Sequence, residues 1–254
     1  MHRHAHRVLK ADSVMAALIA AAGPCRIDER EKQEPFEALA RAIAHQQLHG
    51  AAARTILGRL VALFAPLTFP SPQQLLDAPE KQLRAVGFSS AKVAALKDLA
   101  RKTLEGVVPP ARELALLDDL EIIERLSSVR GIGRWTVEMM LMFQLGRRDV
   151  LPVDDFGVRN GFRLAYGLRG MPTPKALAQF GERWKPYRSV AAWYLWRATE
   201  LARDQRLAPC EQPPRIAQVK RKAKKRKSAK RKAKRKAKRR AKRTRHTRPA
   251  QSRR

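Results

Sequence analysis

Along most of its 254 residues this chain repeats apolar side chains every three to four positions and never sustains a period-2 alternation. Its apolar surface can therefore be buried only by helices packing on helices. Short Pro/Gly breaks separate the runs. The spacing predicts helices over 12–22, 34–48, 51–65, 72–77, 80–86, 90–106, 112–116, 119–127, 134–146, 155–166, 174–180 and 187–203, and hence an all-α fold. With 44% hydrophobic and 30% charged residues, there is apolar material for one good core or two small ones.

Charge is distributed unevenly. Lys and Arg number 54 against 23 acids, a net +31. Between Ile216 and Arg254 there are 22 basic residues and no acid, which leaves +9 on the remainder. A folded part that stays basic without its tail points to a polyanionic partner, most commonly nucleic acid. The segment KRKAKKRKSAKRKAKRKAKRRAKR has no apolar face to bury and reads as disordered when free. The chain thus divides into a folded unit over 9–212 and a disordered Lys/Arg/Ala-rich tail over 213–254. Cys25 and Cys210 lie far apart with no second Cys or His at metal-ligand spacing, which excludes a zinc site or a four-cysteine cluster and suits reduced thiols in the cytoplasm. Basic MHRHAHRVLK ahead of VMAALIAAAGPC imitates a signal peptide. Asp12 and Ser13 interrupt that pattern and can cap a helix whose buried face is Val14, Leu18 and Ile19. No segment reaches the ~20 apolar residues of a membrane span.

The helical pattern is broken most sharply in LSSVRGIGRWTVEMML, residues 126–141. Leu126 and Val129 close one helix, Gly131-Ile132-Gly133 forms a tight hairpin anchored by Ile132, and Trp135, Val137, Met140 and Leu141 supply the apolar face of the next. Glycines permit positive φ and close approach. Backbone N–H groups at the start of the second helix, from Arg134 onward, can then face a phosphate oxygen with the helix dipole behind them. Glycine spacing alone fits equally an ordinary hairpin within a core.

Two further segments carry unexpected chemistry. In LPVDDFGVRNGF two acids stand together in a basic protein; Asp154 is placed to cap the helix that Phe156, Val158 and Phe162 suggest, and a second carboxylate, Asp155, is left for a chemical role. In RWKPYRSVAAWYLWRATE, Trp193 and Trp196 are spaced i, i+3, with Trp184 just before, a spacing that core residues also show.

Together, in this order, GIGRW, PVDDFGVRNGF and RWKPYRSVAAWYLWR resemble the alkylbase DNA glycosylases of the 3-methyladenine glycosylase II type, in the helix-hairpin-helix glycosylase superfamily. The upstream LKADSVMAALIAAAGPCRI, FEALARAIAHQQLHGAAARTI and LRAVGFSSAKVAALKDLA are similar to that family's earlier helices, so the resemblance runs from about residue 9 to 207. It implies two helical subdomains flanking an active-site cleft, the hairpin at its rim, and the N- and C-terminal helices packed in one subdomain. It also implies a short form, without the additional N-terminal α/β domain of some members. By resemblance Asp155 is the catalytic aspartate and Asp154 its less critical neighbour. Trp135 and Trp196 line the base pocket, and Gly131, Ile132, Gly133 and Arg134 form the hairpin that meets the DNA backbone. Main-chain carbonyls of Ser127, Val129 and Gly131 hold a structural monovalent cation, and no other cofactor is implied. The AHQQLHG segment matches the loop that inserts a wedge into the gap left by the flipped base, with Gln47 as the wedge by register and Leu48 as the apolar alternative. His45 and His49 read as loop residues.

The chemistry implied is hydrolysis of an N-glycosidic bond. An N-alkylated purine is cationic and already a good leaving group, and a carboxylate can stabilise the oxocarbenium-like sugar electrostatically or orient the attacking water. Extruding the nucleotide costs a few kcal/mol, least for damaged or poorly paired bases. Stacking of an electron-deficient purine on indole returns ~0.5–2 kcal/mol. Bifunctional members carry a lysine two residues after the second hairpin glycine, where this chain has Trp135, so the amine nucleophile is missing and the expected enzyme is monofunctional. Its expected partners are damaged duplex DNA and, through the tail, non-specific DNA, met as a monomer in the cytoplasm or nucleoid. Two other readings stand beside this one: a glycosylase for uracil, mismatched or deaminated bases, and a non-catalytic histone-like DNA-compacting protein. The second gains nothing from a carboxylate beside phosphates.

The tail holds 19 Lys or Arg between Lys220 and Arg245, enough to aid sliding and hopping among undamaged sites. Deleting 216–254 is expected to weaken binding to undamaged DNA and to flatten the slope of log K against log salt by about 0.9 per lost phosphate contact. Single-turnover base release at saturating protein is expected to stay unchanged. Titrations of both forms at several salt concentrations, with single-turnover assays alongside, check it.

Overall fold

The computed structural model describes residues 2–28 and 32–219; the expected disorder of the tail beyond Val219 lies outside the described residues. Among the described residues the secondary structure is thirteen α-helices, one 3-10 turn (Glu182–Trp184) and a single isolated bridge between Pro172 and Gln218, with no strand. The all-α reading of the periodicity holds. None of these helices is long and apolar enough to cross a membrane.

At three helices sequence and structure agree on both boundaries, and two of the three are capped by side chains. Helices α5 (Pro72–Asp77), α6 (Glu80–Val86) and α9 (Asp119–Ser127) have the expected limits. Ser71 and Gln74 form a reciprocal capping box ahead of α5, and the Asp118 carboxylate accepts from the N–H groups of Leu120 and Glu121 ahead of α9, satisfying donors that a helix start leaves unpaired. Elsewhere local pattern overran. Helix α3 (Pro35–His45) stops before 48 because Gln47 takes φ +58°, and α10 (Arg134–Phe143) stops before 146, where Gly146 has φ +66°. Helix α1 (Arg3–Leu9) went unpredicted. Its basic sequence buries only Ala5 and Leu9, and a tertiary contact holds it: the His6 ring Nε2 and the Tyr194 hydroxyl lie 2.9 Å apart.

Two groups of helices enclose a cleft. In one, α2 (Ser13–Ala22) packs on α13 (Arg188–Arg203), and α13 packs along α11 (Phe156–Ala165). Asp12 joins them: it caps α2 through the N–H groups of Val14 and Met15 and accepts from the Tyr166 hydroxyl at 2.7 Å. The buried face of α2 is Met15, Leu18 and Ile19, with Met15 rather than the expected Val14 turned inward. Phe162, Tyr166, Phe180 and Trp184 interlock beneath α11. In the other group α7 (Ser90–Leu104) packs on α3, α5 and α6, and α10 packs on α9 and α3.

Residues 213–219, assigned from sequence to the tail, are in part fastened to the domain. Thr173 N–H donates to the Ala217 carbonyl at 2.9 Å, Val219 N–H to Met171 at 2.7 Å, and Gly170 N–H to the Gln218 side chain at 2.7 Å. These backbone partners lie in a loop, so the Pro213-Pro214 punctuation gave no sign of the pairing. A cut after Val219 removes the basic run while leaving these contacts whole.

Between α11 and α13 the backbones nearly touch: a Cβ at Gly161 would stand 1.8 Å from the Leu195 carbonyl oxygen. Gly161→Ala must push the helices apart, and its expected cost is about 3 kcal/mol, or roughly 6–12 °C in Tm for a domain of this size. Gly58, exposed within α4 (Gly50–Leu63), has open space at its Cβ. Gly58→Ala is expected to stabilise by about 0.5–1 kcal/mol through helix propensity. Thermal unfolding of the two variants checks both signs.

Candidate active site

Asp155 is the N-cap of α11. Its Oδ1 accepts from the Val158 N–H at 2.7 Å and from Trp196 Nε1 at 2.8 Å, and its Oδ2 accepts from Trp135 Nε1 at 2.7 Å. The expected division of labour between the paired acids therefore changes. Asp155 both caps and faces the cleft, while Asp154 is exposed. An N-cap geometry itself aims a carboxylate at the positive end of the helix, so one residue serves both ends. Of the residues read as the apolar face of α11, Val158 and Phe162 are buried and Phe156 is 72% exposed.

The cleft beside this carboxylate has a volume of about 990 Å³, within the range of small-ligand pockets. Its walls come from α3 with the loop that follows it, from α10, and from α13, with Trp135, Met139, Phe143, Trp193 and Trp196 as its large apolar side chains. Trp196 stacks on Phe143 with centroids 5.9 Å apart and planes at 24°, so one face of this indole is already covered. Trp135 is half exposed. Both indoles line the cavity as expected, but each turns its N–H edge to Asp155, an arrangement that spacing did not suggest. Trp193, read as core, is buried and also reaches the lining. Trp184 is wholly core. His45, on the lining, is held below an ordinary histidine by desolvation first and then by Arg54, Lys92 and Arg41, so near neutral pH it brings no positive charge.

The hairpin stands at the rim, with Gly131 on the cavity wall. Gly131 has φ +78°, and Ile132 is buried, its N–H donating to the Val129 carbonyl at 3.0 Å. Gly133 is different. Its φ of −104° suits any residue, no side chain caps α10, and a Cβ at this position would meet nothing within 4 Å. Among the described residues nothing calls for a glycine there, and the start of α10 is left open to an approaching anion. Arg134 donates through Nε to Glu138 Oε1 at 2.8 Å. Sequence reading missed Glu138, a buried carboxylate in the middle of an apolar helix face. Burial raises it first, the Arg134 contact opposes that, and Asp154 and Asp155 raise it further.

Helix α7 braces the hairpin from beneath. Asp98 accepts from the Arg130 N–H at 2.8 Å, and Lys102 donates to the carbonyl and hydroxyl of Ser128. Across the cleft Gln46 Nε2 donates to the Gly131 carbonyl at 2.8 Å. Of the three carbonyls expected to hold a cation, those of Val129 and Gly131 thus already serve protein donors. A cation there would share both carbonyls with these donors, each oxygen having a second lone pair to offer. Gln47 projects from the α3–α4 loop in its left-handed conformation and lines the cleft; Leu48 is exposed beside it and does not.

Glycines also decide how Asp155 meets the cleft. Gly157 and Gly161 lie one turn apart on the face of α11 that meets α13, Gly157 against the edge of Trp196 and Gly161 against Leu195. The G-V-R-N-G spacing was the visible signal for this close approach, and it went unread beside the acids.

Comparison with known proteins identifies relatives of the sequence and of the fold. A family model described as HhH-GPD superfamily base excision DNA repair protein matches residues 40–186. The chain is 44% identical over 172 residues to DNA-3-methyladenine glycosylase 1 of Schizosaccharomyces pombe, covering 68% of this chain and 75% of that one. Among solved structures it is similar to the fission yeast 3-methyladenine DNA glycosylase in complex with abasic DNA, with a TM-score of 0.71 and 40% identity over 78% of this chain and 98% of that one. It is also similar to a DNA-3-methyladenine glycosidase from Bacillus halodurans, with a TM-score of 0.70 and 33% identity over 78% and 89% of the two chains.

The brace from α7 has a pH signature. Burial alone would raise the Asp98 carboxyl, but the Arg130 N–H, Arg101 and Lys102 together hold it below its ordinary 3.8. A carboxylate lowered on folding contributes stability above its unfolded value and loses it as pH falls through the folded value. Asp98→Asn is expected to cost about 1.5–3 kcal/mol, constant at neutral and mildly acidic pH and shrinking as pH drops below 3.8. Tm against pH for both proteins tests the sign and the window.

Proposed function

The chain belongs to the HhH-GPD superfamily of base excision DNA repair proteins, and on that premise we propose that it is a monofunctional DNA glycosylase. In this reading it flips alkylated purines such as 3-methyladenine out of duplex DNA and hydrolyses their N-glycosidic bond. The observation that carries this reading is the Asp155 carboxylate, fixed by three N–H donors at the wall of an aromatic cleft beside the hairpin. A DNA-compacting module has no use for such a group.

The chain's own residues divide the work. Backbone N–H groups at the start of α10, with Arg134, hold the phosphates next to the lesion. Gln47 fills the gap in the duplex, where its amide can pair with the orphaned base; Leu48 is the apolar alternative beside it. The flipped base enters among Trp135, Trp193 and the open face of Trp196, where a cationic purine gains from the indole π systems. The glycosidic bond breaks with its electron pair leaving on the base, and positive charge builds on the sugar. Asp155 is already oriented toward that charge and reorganises little as it forms, the condition under which electrostatic stabilisation is strongest. Three of about four acceptor positions on the carboxylate are taken. The remaining one, on Oδ2, can hold the water that adds to the sugar carbon. A monovalent cation on the carbonyls of Ser127, Val129 and Gly131, as the resemblance implies, would add to the ties that Asp98, Lys102 and Gln46 make to the hairpin backbone.

Among the described residues no lysine lines the cleft, and with Trp135 at the position of the bifunctional lysine this supports simple hydrolysis. The fission yeast relative solved with abasic DNA supports damaged duplex DNA as the partner.

Base release from methylated, uracil-containing and hypoxanthine-containing DNA tests the substrate class, and release from methylated DNA alone is the expected result. Asp155→Asn is expected to lower single-turnover release by about 10²–10³-fold while binding to an abasic-site analogue survives; Asp154→Asn is expected to cost far less. Products should carry intact abasic sites, and borohydride should trap no protein–DNA adduct. Equal losses in the two mutants, or an adduct that requires damaged DNA, would overturn the assignment.

A further inference from the structure

Gly157 is the second residue of α11, and its backbone lies outside the left-handed region, so conformation does not call for a glycine. Helix propensity argues against one, since alanine there is favoured by about four- to fivefold in the local equilibrium. The space around it supplies the reason. A Cβ at this position would stand 2.7 Å from Trp196 Cδ1, 2.9 Å from Trp196 Nε1 and 3.1 Å from Asp155 Oδ1. The volume that a methyl group would occupy is the volume through which the indole N–H reaches the carboxylate. Trp196 cannot withdraw freely, because its ring is stacked on Phe143 and packed against the core.

We propose that Gly157 is a positioning residue for base excision: its missing side chain lets Trp196 Nε1 donate to Asp155 Oδ1, and this bond fixes the carboxylate toward the cleft. The proposal rests on the glycosylase reading above for its effect on rate, but not for the contact itself. Val158 N–H and Trp196 Nε1 share Oδ1 while Trp135 takes Oδ2. Of these three donors, Val158 belongs to α11 itself and Trp135 is half exposed. Trp196 is the donor from the helix on which α11 rests, so it ties the carboxylate to the wall of the cleft. Losing that bond frees the Asp155 side chain to turn about the cap while α11 keeps its place on α13 through Gly161.

The test is a double-mutant cycle between Gly157→Ala and Trp196→Phe. Phenylalanine keeps a six-membered ring on Phe143 but lacks the pyrrole edge that the new methyl would strike. Gly157→Ala alone is expected to keep the wild-type Tm within a few degrees and to bind abasic-site DNA normally. It should lower single-turnover release at saturating protein by about 10–100-fold, the range for a lost hydrogen bond to a charged group. Trp196→Phe, which also gives up indole contact with the base, should show at least as large a loss, and adding Gly157→Ala to it should change the rate by less than about twofold. A wild-type rate in Gly157→Ala, or losses that multiply in the double mutant, overturns the proposal. Should Gly157→Ala fail to fold, Trp196→Phe carries the test, and a wild-type rate there overturns it. The indole N–H resonance of Trp196, assigned by its disappearance in Trp196→Phe, is read by NMR without any substrate. It should move in Gly157→Ala toward the position of a non-bonded indole, and an unmoved resonance overturns the proposal. That measurement separates the two readings: if the wild type releases no alkylated base but the resonance moves, the glycosylase reading fails and the positioning contact stands.

Discussion

The backbone contact of α11 on α13, where Gly161 lies under the Leu195 carbonyl, sets the geometry on which the site depends. Helices kept apart by ordinary side chains lie 8–10 Å between axes, whereas at Gly161 even a methyl group would strike the facing backbone. With a glycine at the crossing, and a second one turn earlier, the N-cap of α11 comes within hydrogen-bond reach of Trp196. From the opposite wall Trp135, at the start of α10, reaches the same carboxylate. A single aspartate thereby joins the two helix groups across the cleft.

The electrostatics of the molecule follow from where charge is held and where it is left loose. The chain is strongly basic, which favours approach to a polyanion from any side. Its informative carboxylates are held by donors: Asp155 by two indoles and a helix start, Asp98 by the hairpin backbone and two cationic side chains, Glu138 by Arg134. Each pair of charges or dipoles pre-orients a group that would otherwise search many rotamers. Gly133 does the complementary job by leaving nothing in front of the first N–H groups of α10.

Sequence reading succeeded where the cause was local. Ser71 with Gln74, Asp118, and the glycines of the hairpin act on backbone groups within four residues, so α5, α9 and the turn were visible in the chain itself. It failed where the cause lay elsewhere in the molecule. Helix α1 is held by Tyr194, more than 180 residues away, and residues 216–219 by a loop at 170–173. The cap was expected at Asp154 and is made by Asp155, because which of two adjacent carboxylates turns back to the helix start depends on how the whole segment is packed.

The chain by itself determined an all-helical protein broken by a tight glycine hairpin, and through resemblance it pointed to an aspartate and two tryptophans as the site. The first follows from periodicity and from the freedom of Gly131 to take positive φ; the second came from motifs, since spacing alone suited a core equally. Only the tertiary structure decided that Asp155 is cap and acid together, that Trp135 and Trp196 present their N–H edges to it, and that Gly157 and Gly161 make the approach close enough. Those facts are distances between atoms on different helices. A sequence records which groups are present, but the separation between α10, α11 and α13 is set by how all of their side chains pack at once.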